Sequence, residues 1–298
     1  MSARSGNARF GRVITAMVTP FHEDGSLDLD EAQKLAAHLV AHGSEGLVVA
    51  GSTGEASVLT DAEQVDLFRA VKDAIGSDAS VIAGTGTNWT THSVELTREA
   101  EKAGADAALV VTPYYNRPPQ DALLHHFRVV ADSSNLPVII YDVPSRTVTK
   151  IEVDTVLRAA EHPNIVGLKD AGNDISTSTL LAAEKPDDFE IYSGDDGLTL
   201  AFLAIGAVGV ISVQAHVMGD LLLEQAKAFE SGDIARAREI QYIQRRTAAA
   251  LLTANPISIK AAMQMLGFNV GAPRQPLRPA NADELEKIRE ALGIIGAL

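Results

Sequence analysis

The 298-residue sequence contains no cysteine, which excludes a disulfide framework and any thiolate metal site. Aromatic residues make up only 5% of the chain, with a single tryptophan. No apolar run approaches the roughly 18 residues that a membrane-spanning helix requires. Positive charge is scarce: 25 Lys and Arg stand against 39 Asp and Glu, a formal net charge of −14. That balance argues against nucleic acid or an anionic membrane surface as a partner. An anionic small molecule stays open, because exposed charges are screened beyond about 8 Å whereas one arginine at about 4 Å contributes about 4 kcal/mol. The eight histidines show no metal-ligand spacing. His125 and His126 are adjacent and diverge on a helix, and the others are scattered. The polar stretch from Met1 to Phe10 lacks the apolar core of a signal peptide, so the expected location is cytoplasmic.

What is there is an aliphatic core in a regular order. Hydrophobic residues are 46% of the chain, and eight short β-rich runs alternate with amphipathic stretches. The runs are Val13 to Val18, Gly46 to Ala50, Ser80 to Ala83, Ala107 to Val111, Pro137 to Tyr141, Ile165 to Leu168, Glu190 to Tyr192 and Gly209 to Val213. Uniform strand–helix units with no polar edge strand predict an α/β fold, a TIM (β/α)8 barrel, over residues 11–215. A doubly wound sheet is the alternative, but no G-x-G-x-x-G turn follows the first run. Residues 216–298 read as helix throughout and predict a helical region packed on the barrel, with no internal repeat and no low-complexity tract.

In an α/β barrel the chemistry lies beyond the carboxyl ends of the strands. Lys169 closes the sixth run there. Lysine is strongly hydrated, so an amine at the end of a core strand suggests a depressed pKa and attack on a carbonyl to form a Schiff base. The competing reading is a lysine that snorkels from the sheet edge to water. Gly51-Ser52-Thr53-Gly54, after the second run, presents N–H groups and hydroxyls suited to a carboxylate, although a plain turn has the same composition. Tyr141 ends the fifth run beside Lys169, and Tyr115 and Ser52 extend it into a hydroxyl relay. Packing is the usual role of a lone tyrosine, and three hydroxyls at one mouth weigh against it. Arg146 offers a charged fork for a second carboxylate, with a surface salt bridge as its plainer role.

Six segments carry a family resemblance together: Gly51-Ser52-Thr53-Gly54-Glu55, Pro113-Tyr114-Tyr115-Asn116-Arg117-Pro118, Tyr141-Asp142-Val143-Pro144-Ser145-Arg146-Thr147, Gly167-Leu168-Lys169-Asp170, Ser193-Gly194-Asp195-Asp196 and Gly209-Val210-Ile211-Ser212-Val213. In order and spacing they resemble the dihydrodipicolinate synthase family of pyruvate-dependent aldolases. The resemblance runs from about Val13 to the carboxyl terminus and includes Asn255-Pro256-Ile257-Ser258-Ile259-Lys260.

That resemblance implies that Lys169 forms an imine with pyruvate and that Thr53, with Ser52, binds the pyruvate carboxylate. Tyr141 would exchange protons through Ser52 and Tyr115. Arg146 would receive the carboxylate of L-aspartate 4-semialdehyde, Ile211 would contact pyruvate through its backbone, and Gly194 would line the substrate site. The product implied is 4-hydroxy-tetrahydrodipicolinate, on the diaminopimelate route to lysine, made by a homotetramer (a dimer of dimers) with neither metal nor diffusible cofactor. N-acetylneuraminate lyase and 2-keto-3-deoxy sugar acid aldolases look similar over the barrel, and a silent keto-acid-binding barrel is a rival of another class. Arg146 discriminates, because a sugar acid calls for hydroxyl contacts where the semialdehyde calls for a charge.

Two departures stand out. Serine occupies position 52, where the family usually has threonine, and Val148 replaces a common glycine. At the positions where lysine inhibits many members, this chain has Ala56, Asp61, Gln64, Asn88, His92 and Tyr114. Sensitive bacterial enzymes carry a serine, two histidines and a glutamate among these positions, so weak or absent lysine inhibition is expected.

Overall fold

The computed structural model describes residues 8–298; most of the Met1 to Phe10 stretch, residues 1–7, lies outside them. Eight parallel strands close on one another in sequence order, the eighth pairing with the first. They are β1 Val13–Ala16, β2 Gly46–Val49, β3 Ser80–Gly84, β4 Ala107–Val111, β5 Val138–Asp142, β6 Ile165–Asp170, β7 Glu190–Ser193 and β8 Gly209–Ser212. Each expected run becomes a strand. The ends differ by a residue or two: β5 and β6 run on through Asp142 and Asp170, beyond the expected ends at Tyr141 and Leu168.

The helices are α1 Leu29–Ala41, α2 Asp61–Ile75, α3 Thr90–Lys102, α4 Gln120–Ala131, α5 Pro144–Thr147, α6 Val153–Ala160, α7 Ile175–Glu184, α8 Thr199–Ala204, α9 Ala215–Glu230, α10 Ile234–Leu251, α11 Ile257–Met265 and α12 Ala282–Ile294. Local sequence explains their starts. Thr60 and Glu63 form a reciprocal capping box on α2, and Asn281 and Glu284 repeat it on α12. α5 is a single turn, and Pro144 at its first position fixes the φ that starts it.

Side chains alternate across each strand, so the barrel has two apolar layers. Ile14, Val48, Ile82, Leu109, Ile139, Tyr141, Val166, Tyr192 and Ile211 fill its interior. Val81, Val110, Ile140, Ile165, Leu168 and Ile191 face outward against Leu35, Phe68, Phe127 and other helix residues. The β5–β6 ladder carries one irregularity: Val138 pairs with Ile165, but the next residue, Ile139, pairs with Gly167. β6 thus contains one extra residue, a bulge. Gly167 is obligatory there, since a Cβ would stand 2.7 Å from the Glu190 carbonyl oxygen.

After β8, α9 packs on β1 and α10, with Val13, Val210, Met218 and Leu222 in one cluster. His216, at its start, is buried; its Nε2 accepts from the Val18 N–H while Nδ1 meets the Val213 carbonyl, and burial lowers its pKa to about 4. This histidine is neutral and structural. No helix among the described residues is long and apolar enough to cross a membrane.

Candidate active site

At the carboxyl ends of the strands a cavity of about 250 Å³ opens, lined by Gly51, Ser52, Thr53, Tyr141, Arg146, Lys169, Gly194 and Asn255 among others. Lys169 and Tyr141 are register partners on β6 and β5, and the Lys169 Nζ lies 4.3 Å from the centre of the Tyr141 ring. Lys169 is 5% exposed. Desolvation lowers its pKa to about 8; the nearby Asp196 carboxylate opposes that shift and the Arg146 guanidinium adds to it. Burial likewise raises the Tyr141 phenol to about 12. At neutral pH the pair is an amine partly in its nucleophilic form beside a phenol that keeps its proton.

Asp196 was not singled out in the sequence. It is buried on the wall of this cavity, and its carboxylate accepts from the Ser212 hydroxyl and from the Val213 and Gln214 N–H groups at 3.0 and 3.2 Å. Burial raises its pKa above the ordinary carboxylate value, and the three donors oppose that shift. Behind the site, Asp142 and Asp170 follow Tyr141 and Lys169 and therefore point the other way, toward α6 and α7.

The Gly51–Glu55 turn presents Ser52 at the surface of the cavity and buries Thr53. Thr53 Oγ1 accepts from Asn255 Nδ2 at 2.8 Å. Asn255 also went unnoticed as a site residue, because it lies between α10 and α11. Arg146 is exposed at the rim and forms no ion pair among the described residues. Gly194 lies against β6, its N–H donating to the Asp170 carbonyl at 2.6 Å; a Cβ would meet that of Ala171 at 2.8 Å. Ile211 is buried in the barrel interior, and Val213 supplies that side of the cavity lining.

Tyr115 stands apart. It is 91% exposed, has a left-handed φ of 74°, and does not line the cavity of its own chain. Lys260, on α11, is 1% exposed and pairs with Glu55 at 2.9 Å. A second cavity of about 350 Å³ shares Ser52, Tyr141 and Arg146 with the first. Ala56, Gln64, Asn88, His92 and Tyr114 line it, and His92 pairs with Asp61 at 2.8 Å. Among the described residues no cluster of three or more His, Asp or Glu side chains is arranged to hold a metal ion.

Comparison with known proteins agrees along the whole chain. The model of the dihydrodipicolinate synthetase family matches residues 9–295. The 4-hydroxy-tetrahydrodipicolinate synthase of Moorella thermoacetica is 49% identical over 294 residues, covering 97% of this chain and all of the relative. The crystal structure of a dihydrodipicolinate synthase from Bacillus anthracis superimposes with a TM-score of 0.94 at 42% identity, over 96% of this chain and 99% of that one. The Cyanidioschyzon merolae enzyme with lysine bound gives 0.95 at 41%, over 97% and 99%. On this evidence of sequence and fold together, the chain belongs to the dihydrodipicolinate synthetase family.

Proposed function

We propose that this barrel condenses pyruvate with L-aspartate 4-semialdehyde to give 4-hydroxy-tetrahydrodipicolinate; as a family member the chain is a lyase. The observation that carries the reading is Lys169: a buried amine with its pKa lowered to about 8, facing a protonated Tyr141 in a closed-barrel cavity. The neutral amine attacks C2 of pyruvate, and loss of water leaves the imine. Removal of a C3 proton gives the enamine, which forms the carbon–carbon bond to the aldehyde. Attack of the acceptor's own amine on C2 then closes the ring and releases Lys169.

In this scheme Ser52 and Thr53 hold the pyruvate carboxylate, with Gly194 and the Ile211 backbone at its margins. Arg146, at the rim and without an ion pair among the described residues, receives the acceptor's carboxylate. Tyr141 and Ser52 begin the proton relay. Tyr115 joins it from a second copy of the chain, since an exposed tyrosine held at positive φ has no function in its own cavity. A homotetramer built as a dimer of dimers supplies that copy.

Borohydride trapping tests the chemistry. Pyruvate should add to Lys169, and no added mass there defeats the imine reading. Turnover of pyruvate with the semialdehyde, against N-acetylneuraminate and 2-keto-3-deoxy sugar acids, tests the acceptor; faster turnover of a sugar acid overturns it.

A further inference from the structure

The carboxylate-binding turn is held from outside the barrel by one short stretch of the carboxyl-terminal region. Asn255 Nδ2 donates to Thr53 Oγ1 at 2.8 Å across 202 positions of sequence. A few residues further on, Lys260 Nζ donates to Glu55 Oε1 at 2.9 Å, and Glu55 Oε2 takes the Arg274 N–H at 2.8 Å. Glu55 itself has a left-handed φ of 59°, a conformation that persists only where its surroundings over-determine it. The turn and the start of α11 are thus fastened at two points, and Asn255 is the one that reaches the cavity.

A threonine hydroxyl has one hydrogen and two lone pairs. The Asn255 amide occupies a lone pair of Thr53, and no group among the described residues accepts the hydroxyl hydrogen. Thr53 is buried on the cavity wall beside Ser52. With Nδ2 as the donor, and the Asn255 Oδ1 buried without a partner among the described residues, the Thr53 hydrogen points away from Asn255, and the acceptor left for it is one that arrives in the cavity. A carboxylate, which has only acceptor atoms, fits that vacancy; a hydroxyl held by a carbonyl oxygen instead of an amide would have its hydrogen consumed within the protein.

We propose that Asn255 is a positioning residue: its amide fixes Thr53 as a hydrogen-bond donor to the carboxylate of the bound 2-keto acid. It acts through Thr53 and without touching the reacting atoms. The assignment rests on the reading of Thr53 as a carboxylate ligand.

Borohydride trapping of the full-length chain over a range of pyruvate concentrations separates the two. Asn255→Ala should raise the half-saturating pyruvate concentration about tenfold, the scale of one oriented hydrogen bond to a charge, with the trapping rate at saturation changed less than about threefold. Asn255→Asp, nearly the same shape but an acceptor, should raise it further. In a Thr53→Val background the Asn255→Ala effect should fall below about twofold, whereas a Thr53→Ser background should keep it. Thr53→Val with unchanged half-saturation overturns the carboxylate reading itself. A normal response to Thr53→Val, with the Asn255→Ala effect undiminished in that background, leaves the reading standing and overturns the positioning role. Should Asn255→Ala fail to fold in thermal melts, the same cycle run with Asn255→Asp decides the matter.

Discussion

Asp142 and Asp170 are register partners at the tops of β5 and β6, and both carboxyls are buried directly behind the Tyr141–Lys169 pair. Asp170 accepts from the Ser178 hydroxyl and the Gly172 N–H at 2.6 and 2.8 Å, whereas Asp142 has a single donor among the described residues, the Ile151 N–H at 3.2 Å. Desolvation, with a smaller contribution from the neighbouring Asp170, raises Asp142 to about 7. Because the folded-state pKa lies above the unfolded value, the folded state holds this proton more tightly. The associated stability is fully present below about pH 4 and is lost as pH rises through about 7. Asp142→Asn should therefore stabilise the protein by about 1–2 kcal/mol at pH 8 and by almost nothing at pH 4. Urea unfolding at the two pH values measures this, and an equal effect at both would contradict it.

Imine formation should follow the ionisation of Lys169. The neutral amine is about one-tenth of the total a unit below its pKa of about 8, so kcat/KM for pyruvate should rise about tenfold per pH unit and level off above about 8. Tyr141, at about 12, introduces no descending limb in the working range. Asp196→Asn removes the charge that holds the lysine proton and should move the rising limb to lower pH. A limb that stays in place, with the variant folded, would show that Asp196 carries no charge there.

The Lys260–Glu55 pair offers a test of buried charge. Lys260→Met leaves Glu55 uncompensated in the interior and should cost about 3–5 kcal/mol of stability. Adding Glu55→Gln should recover part of that loss. If thermal or urea unfolding finds the double variant less stable than the single one, the pair's energetics are not those of an uncompensated charge.

In the proposed scheme Arg146 should govern the acceptor more than the imine. Arg146→Ala should raise KM for L-aspartate 4-semialdehyde by about 10–100-fold, the scale of a charge-assisted bidentate contact, while pyruvate trapping at Lys169 stays within a few-fold. Equal losses in both measurements would mean that Arg146 supports the site as a whole.

Lysine should inhibit weakly or not at all. Of the residues at the expected effector positions, Ala56, Gln64, Asn88, His92 and Tyr114 line one cavity, but His92 is engaged by Asp61 and Ala56 brings no polar group. Initial rates at increasing lysine decide it; loss of most activity at millimolar concentration would refute the expectation.

The strand–helix order was legible because parallel barrel strands are short, apolar on both faces and bounded by polar turns. Lys169, Tyr141 and Arg146 were legible for a related reason: each sits at or just beyond a strand end, where a polar side chain is conspicuous. Asn255 and Lys260 gave no such signal. They lie in or beside a helix after the barrel, and only folding brings them to the Gly51–Glu55 turn. Asp196 was legible only as part of the Ser193-Gly194-Asp195-Asp196 segment, where nothing in the sequence separates it from Asp195, whose carboxylate accepts the Gly197 N–H at 2.7 Å. Tyr115 could be recognised as a hydroxyl of interest, but no pattern within one chain reveals that its ring faces away from that chain's own cavity.

The bulge in β6 decides which side chain the barrel offers to chemistry. Ile165 faces the helices and Val166 the interior; strict alternation would then turn Gly167 outward, Leu168 inward and Lys169 out among the helices. The extra residue reverses that parity, so Leu168 faces out and Lys169 enters the cavity opposite Tyr141. Without it the cavity would gain an inert leucine, and the amine would lie against apolar helix surface with no substrate in reach. One residue of ladder irregularity, made possible by the missing side chain of Gly167, thus decides whether the amine of Lys169 lies in the cavity or among the helices.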